Sequence, residues 1–304
     1  MHPVLFRVPG FDLPIHTYGV MIVSGFLLAM YVDWREARRQ QALEDEVLDF
    51  AFWALVGGLV GARVVFIIVN WRQYFVDQFF HPKWKIPSFL VVWEGGLVFY
   101  GAALGGLCAY VLFAYTRKMS LVTSLRFADL CILGVPLAHV FGRFGCVAAG
   151  CCWGDAMYHL NEAGQVVADI PLAARFPEGA LAYTSLLQAA APEVAQIMRD
   201  THHTLPLFPS QLAEAFGESL IFVVLLVVRG RKWFHGQLVL TYFLLYPILR
   251  SILEIFRGDP ERGYVIDGVL STSQFISLVV AGTALTAIFL LRRRGLAQIS
   301  NVAT

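Results

Sequence analysis

Residues 47–69 read VLDFAFWALVGGLVGARVVFIIV, an apolar run with one aspartate near its start and one arginine in its second half. A helix of that length rises about 34 Å at 1.5 Å per residue, enough to cross roughly 30 Å of hydrocarbon. Six further blocks of similar character lie at about 15–33, 91–115, 127–144, 209–228, 236–257 and 270–291. They account for a composition of 58% hydrophobic and 15% charged residues in 304, against roughly 45–50% and 25% in soluble domains. The expected fold is all-α: a polytopic membrane protein of about seven transmembrane helices. A formal net charge of +1 supplies no broad basic surface, which sets nucleic acid aside. Five cysteines in so long and apolar a chain do not make a secreted disulfide scaffold. The N-terminal MHPVLFRVPGFDLPIH lacks the basic segment, apolar core and cleavage site of a signal peptide, so the first span is expected to stay in the protein.

Basic residues between the spans set the expected orientation. Twelve fall in four short segments on one side: Arg35, Arg38 and Arg39; Arg117, Lys118 and Arg126; Arg229, Arg231 and Lys232; and Arg292, Arg293 and Arg294. Eight spread over the longer stretches of the other: Arg7; Arg72, Lys83 and Lys85; Arg175 and Arg199; Arg257 and Arg262. Lysine and arginine accumulate on the cytoplasmic side, so the N-terminus is expected outside and the C-terminus in the cytoplasm. The organisation follows: a membrane domain over 1–144 with spans one to four, an extracytoplasmic head insert over 145–208 with one or two short helices, and 209–304 with spans five to seven and a cytoplasmic tail. Glycines at helical spacing, Gly57 to Gly61 and Gly101 to Gly105, read as close helix contacts.

Of the 23 lysines and arginines, three remain inside spans: Arg63, Arg143 and Arg250. A membrane arginine costs about 2.5 kcal/mol or more on insertion scales, so it normally faces a polar interior and has a partner or ligand. All three fall in the outer halves of their spans, beside His16, Tyr18, Glu94, Tyr100 and His139, and together they suggest an anion site. On span six Tyr246, Arg250 and Glu254 recur at i, i+4 and form a stripe that Arg257 extends; His139 and Arg143 share the same spacing. Guanidinium suits phosphate because its planar fork stays charged when partly desolvated, and a phospholipid headgroup is the natural anion in a bilayer. The plainer readings are an Arg250–Glu254 structural pair, Arg143 snorkelling to the headgroups, and Arg63 packing against Glu94 or a neighbouring carboxylate. Asp129, Glu214 and Glu218 carry no assignment from the sequence. Cys146, Cys151 and Cys152 read as small packing residues; a metal site lacks a histidine at a familiar spacing, and a disulfide remains an alternative.

Gly142-Arg143-Phe144-Gly145, continuing through Gly150-Cys151-Cys152-Trp153-Gly154, resembles the signature of the bacterial prolipoprotein diacylglyceryl transferases. Ile15-His16-Thr17-Tyr18-Gly19, Gly57 to Arg63, Trp93-Glu94-Gly95-Gly96-Leu97 with Gly101, Pro209-Ser210-Gln211-Leu212 with Glu214, and Tyr246 to Glu254 resemble further blocks of that family in order, over nearly the whole chain. The resemblance implies transfer of diacylglyceryl from phosphatidylglycerol to the lipobox cysteine thiol of a prolipoprotein in the bacterial plasma membrane, the inner membrane where there are two. Glycerol 1-phosphate would leave, and no metal or organic cofactor would be needed. It also implies that Arg143, Arg250, Tyr18 and Glu254 bind the lipid, with Arg143 and Arg250 taking part in catalysis and Arg63, Glu94 and Tyr246 in support. The chain departs from the family pattern at Tyr100, where a histidine is usual, and at Cys146, Ala149 and Cys151, where asparagines and a glutamate are usual. His139 or Tyr100 would then accept the proton. The competing readings are a diverged paralogue that transfers another phospholipid group, an organic-anion transporter, and a thiol-redox protein, which lacks a Cys-x-x-Cys pair.

Overall fold

The computed structural model describes residues 4–8, 13–73, 75, 79–81, 85–91, 96–162, 165–257, 263–266 and 269–293. Trp93, Glu94 and Gly95, with the charged Lys83, Arg262 and Arg294, lie outside the described residues. Seven segments are long and apolar enough to cross a membrane. They are α1 (Thr17–Arg39), α2 (Glu44–Val69), α3 (Phe99–Thr116), the pair α4 (Leu121–Cys131) and α5 (Val135–Ala149), α8 (Ser210–Arg229), α9 (Gln237–Glu254) and α10 (Thr272–Arg293). The chain is all-α and multi-pass, with three short two-stranded hairpins as its sheet content among the described residues.

Three boundaries differ from the sequence expectation, each for a local reason. The third span begins at Phe99 rather than near 91, because Gly96 is left-handed (φ 80) and Val98 is extended. The fourth is longer than 127–144 and is interrupted at 132–134, so α5 starts afresh inside the span. Pro136 occupies its first turn, where a missing N–H is harmless, and the Asp33 carboxylate accepts the Gly134 N–H at 2.7 Å. The sixth ends at Glu254, so Arg257 does not continue the α9 stripe. It pairs instead by a backbone bridge with Gly154.

The chain divides into two compact units, residues 34–130 and residues 1–33 with 131–304. In the first, α2 and α3 meet backbone to backbone through Gly57, Gly61, Gly101 and Gly105. A Cβ on Gly57 would lie 2.8 Å from both the Gly105 oxygen and the Ala109 Cβ, so only glycine permits the approach. Phe50, Tyr110, Phe113 and Phe127 stack beneath, with Phe50 and Phe127 ring centroids 5.4 Å apart.

In the second unit α5 packs on α8, α8 on α9 and α9 on α10, over a core of Ile132, Leu133, Ile221, Leu225, Leu238 and Tyr242. The first part of α1 lies against α5: a Cβ on Gly145 would come 2.9 Å from the Tyr18 ring. The connection from α5 to α8 holds a hairpin of two strands (Tyr158–Leu160 and Val166–Ala168), followed by α6 (Leu181–Ala189) and α7 (Pro192–Thr201). It buries a core of its own, with Trp153, Phe176, Tyr183, Met198 and Leu207 among its members. Backbone bonds Gly154 N to Phe208 O (3.0 Å), Phe208 N to Asp155 O (2.8 Å) and Asp155 N to Phe256 O (2.9 Å) tie its ends to the starts and ends of spans.

Candidate functional site

Three helices of the second unit bring polar side chains together by the same device, a spacing of four residues that stacks side chains on one face. α5 carries His139 and Arg143, α8 carries Glu214 and Glu218, and α9 carries Tyr242, Tyr246, Arg250 and Glu254. All three glutamates are buried, Glu218 completely. A buried carboxylate needs compensation, and here it comes from across the helix packing. Glu218 Oε1 stands 2.7 Å from His139 Nδ1 and accepts the Tyr242 hydroxyl at 3.4 Å. Glu214 Oε1 accepts from Arg143 Nη2 at 2.9 Å and lies 3.4 Å from His139 Nε2. Arg143 Nη2 is also 3.3 Å from His139 Nε2.

This geometry assigns the imidazole its roles. Nδ1–H donates to Glu218, which leaves the Nε2 lone pair facing Arg143 and the interior of the site. The Tyr246 ring packs on that imidazole at 5.3 Å, parallel to Tyr242 at 5.7 Å. The Tyr246 hydroxyl lies within electrostatic reach of Arg143, Arg250, Glu214 and Glu218. On α9, Arg250 Nη2 and Glu254 Oε2 pair at 2.7 Å, as the plainer sequence reading expected. Yet that pair does not exhaust the arginine. Arg250 Nη1 and Arg143 Nε are both buried with no hydrogen-bond partner, and a buried, unmatched donor is costly unless a ligand completes it. Two guanidiniums thus keep open donors in the helix bundle that holds His139.

Tyr18 stands on Gly145 and within electrostatic reach of Arg143 and the three clustered cysteines. Just past α5 the chain reverses at Gly150 (φ 65) and Cys152 (φ 58), both left-handed. Ser210 Oγ and Gln211 Nε2, from the start of α8, donate to the Cys152 and Cys151 carbonyls, each at 2.6 Å. The Cys146, Cys151 and Cys152 sulfurs lie within 4.8 Å of one another. Hydrogen bonds from the Cys146 and Cys151 thiols draw Cys152 below the ordinary thiol range, and Cys151 is pushed above it by its bonds to Cys146 and Cys152.

Arg63 and Tyr100 belong to the other unit. Arg63 is buried and donates to four backbone carbonyls, of Phe89 (2.8 Å), Gly96 (3.1 Å), Ser88 (3.1 Å) and Val91 (3.0 Å). It clamps the approach to α3. Tyr100 sits exposed in the first turn of α3, its ring edge-on to Phe99 at 6.1 Å. Glu94 lies outside the described residues. Sequence reasoning left Glu214 and Glu218 unassigned and did not mark Tyr242. The available signal was two acidic residues at i, i+4 in an apolar span, and a tyrosine one turn before Tyr246 on an existing stripe.

The comparisons with known proteins agree with one another. A family model described as "Prolipoprotein diacylglyceryl transferase" matches residues 3–290. The chain is similar to the phosphatidylglycerol–prolipoprotein diacylglyceryl transferase of Clostridium tetani, 30% identical over 278 residues that cover 91% of this chain and 93% of that protein. It is also similar to phosphatidylglycerol–prolipoprotein diacylglyceryl transferase 2 of Clostridium perfringens, 29% identical over 270 residues (89% and 88%). A relative of the same description from Limosilactobacillus reuteri is 28% identical over 300 residues (97% and 93%).

Proposed function

Because the chain belongs to the prolipoprotein diacylglyceryl transferase family, we propose that it moves the diacylglyceryl group of phosphatidylglycerol to the lipobox cysteine thiol of prolipoproteins. The observation that carries this reading is the pair of buried, unpartnered donors, Arg143 Nε and Arg250 Nη1, in the same membrane-spanning bundle as His139. A phosphodiester oxygen offers each of them the acceptor it lacks. Bond formation runs from the substrate thiolate to the carbon of the diacylated glycerol that bears the phosphate. The carbon–oxygen bond breaks, its electrons go to phosphate oxygen, and glycerol 1-phosphate leaves.

Arg143 and Arg250 stabilise charge that grows on the departing phosphate, where fixed donors act most strongly. His139 Nε2 accepts the thiol proton. Arg143 Nη2 occupies that lone pair in the free protein, so an Arg143 that turns to the phosphate unmasks the base as substrate enters. Glu218 on Nδ1 then faces an imidazolium and strengthens its bond to it. Tyr18 and Glu254 shape the lipid site, Glu254 by holding Arg250, with Tyr246 packing on the base. The distribution of lysine and arginine supports an N-terminus and an α5–α8 connection outside the cytoplasm and a C-terminus within it, and the family supports residence in the bacterial plasma membrane, the inner one where there are two.

The experiment incubates the purified protein with phosphatidylglycerol vesicles and a lipobox peptide and follows the peptide's mass. A diacylglyceryl gain in the wild type, lost in folded Arg143→Ala and Arg250→Ala, is the expected result. No gain by folded wild type across several anionic lipids and peptides sinks the proposal and leaves a diverged transferase acting on another group.

A further inference from the structure

We propose that Cys146, Cys151 and Cys152 form a three-thiolate binding site for a soft, thiophilic cation of the Cu(I) type. Their sulfurs lie within 4.8 Å of one another. Three thiolates each about 2.3 Å from one ion stand about 4 Å apart, so closing on the ion needs side-chain shifts of less than about 1 Å. The convergence is built into the backbone. Cys146 lies in the last turn of α5, the Cys151 N–H returns to the Cys146 carbonyl at 3.1 Å, and Gly150 and Cys152 adopt left-handed conformations that turn the chain back on itself. Gly150 has no room for a side chain there, since a Cβ would lie 2.6 Å from the Ala180 Cβ. Cys152 holds a conformation that side-chain-bearing residues rarely adopt. Ser210 and Gln211, both buried on α8, fix the turn through the Cys152 and Cys151 carbonyls.

Sulfur number and charge select the ligand. A disulfide uses two thiols and leaves the third idle, whereas an ion uses all three. Among the described residues no histidine or carboxylate joins the group. Zinc takes four ligands in its structural sites, while soft thiolates favour Cu(I). Three thiolates around a singly charged ion leave excess negative charge, and Arg143 and Arg257 lie within electrostatic reach of Cys152 to offset it. Binding is ligand exchange: the thiol protons pass to water, and no electron changes owner. The ion is not a reactant in the transfer, so the site stands whether or not the transfer reading does.

The test gives the reduced, full-length protein Cu(I), as its acetonitrile complex under nitrogen, in competition with a chromophoric Cu(I) chelator. Expected are about one Cu(I) retained per chain, sulfur-only coordination by X-ray absorption, and protection of Cys151 and Cys152 from iodoacetamide as mapped by mass spectrometry. Cys146→Ser, Cys151→Ser and Cys152→Ser should each weaken retention by at least about tenfold, while a Cys108→Ser/Cys131→Ser variant retains the ion. Equal uptake by wild type and the triple serine variant overturns the proposal. So does a disulfide within the trio in protein isolated without reductant, or labelling of wild-type Cys151 and Cys152 that Cu(I) leaves unchanged. The labelling readout needs no variant, so it decides even where a serine variant does not fold.

Discussion

Replacing Glu218 by glutamine keeps the shape of a completely buried side chain and removes its charge. In the free protein the cost is small, because an amide oxygen still accepts the His139 Nδ1–H that the carboxylate holds at 2.7 Å. The cost appears when His139 takes a proton. A hydrogen bond to a charged group contributes about 1.5–3 kcal/mol and a neutral one about 0.5–1.5, so the imidazolium loses about 1–2 kcal/mol of support. At a factor of ten per 1.36 kcal/mol, Glu218→Gln should slow peptide lipidation by roughly 5- to 30-fold, in kcat rather than KM. Rates of diacylglyceryl transfer to a lipobox peptide, measured over neutral and mildly alkaline pH, should also show the loss shrink as pH rises and solvent takes over the proton. A thermodynamic cycle with His139→Ala gives the stricter reading. If Glu218 acts through His139, Glu218→Gln adds nothing in the His139→Ala background, within the ~0.3–0.5 kcal/mol scatter of independent sites. An unchanged rate for Glu218→Gln, or an equal loss in both backgrounds, refutes the assignment of His139 as a base oriented by Glu218.

Arg143→Lys replaces a fork that reaches Glu214, His139 and the open Nε position by a single ammonium, and should lower kcat/KM by about a hundredfold or more, read in the same mass assay. Arg250→Gln leaves Glu254 buried without its cation and should cost about 3–5 kcal/mol of stability; adding Glu254→Gln should restore the melting temperature in detergent while transfer stays lost, and recovery of activity as well would argue against Arg250 as a phosphate ligand. Gly57→Ala forces α2 and α3 apart, since its Cβ would stand 2.8 Å from the Gly105 oxygen; about 1–3 kcal/mol of destabilisation follows from overpacking, and a melting curve matching wild type would contradict so close a contact. Asp33→Ala removes the carboxylate that accepts the Gly134 N–H and should cost about 1–3 kcal/mol, the penalty of leaving a buried donor unsatisfied, measured as a lowered unfolding midpoint.

The seven spans and the His139–Arg143 and Tyr246–Arg250–Glu254 stripes were legible because each follows from a local rule: apolar length for the first, the helical period for the second. What the sequence hid depends on partners far along the chain. Nothing near Glu214 or Glu218 announces a histidine, because His139 reaches them only when α5 packs on α8. Arg63 reads from the sequence as a seeker of carboxylates, yet donates to four carbonyls, and backbone acceptors leave no trace in composition. The interruption at 132–134 was obscured because the apolar side chains of Ile132 and Leu133 continue the hydropathy across it. The thiol cluster needs a left-handed cysteine at 152, which the residue's own preference argues against.

The pairing of Arg143 with Glu214 joins residues 71 apart in sequence, and that separation matters during synthesis. A ribosome delivers span four to the membrane, cation included, well before span five exists. Until the α5–α8 connection and the start of α8 have followed, Arg143 and His139 lack the carboxylates that later neutralise them, and lipid insertion of a lone arginine costs about 2.5 kcal/mol or more. The nascent fourth span is therefore a poor membrane helix on its own, and its firm residence depends on a neighbour not yet translated. Assembly of the reactive centre and completion of the topology become one event, so a chain cut short before α8 keeps its first three spans but loses the firm seating of the fourth together with its chemistry.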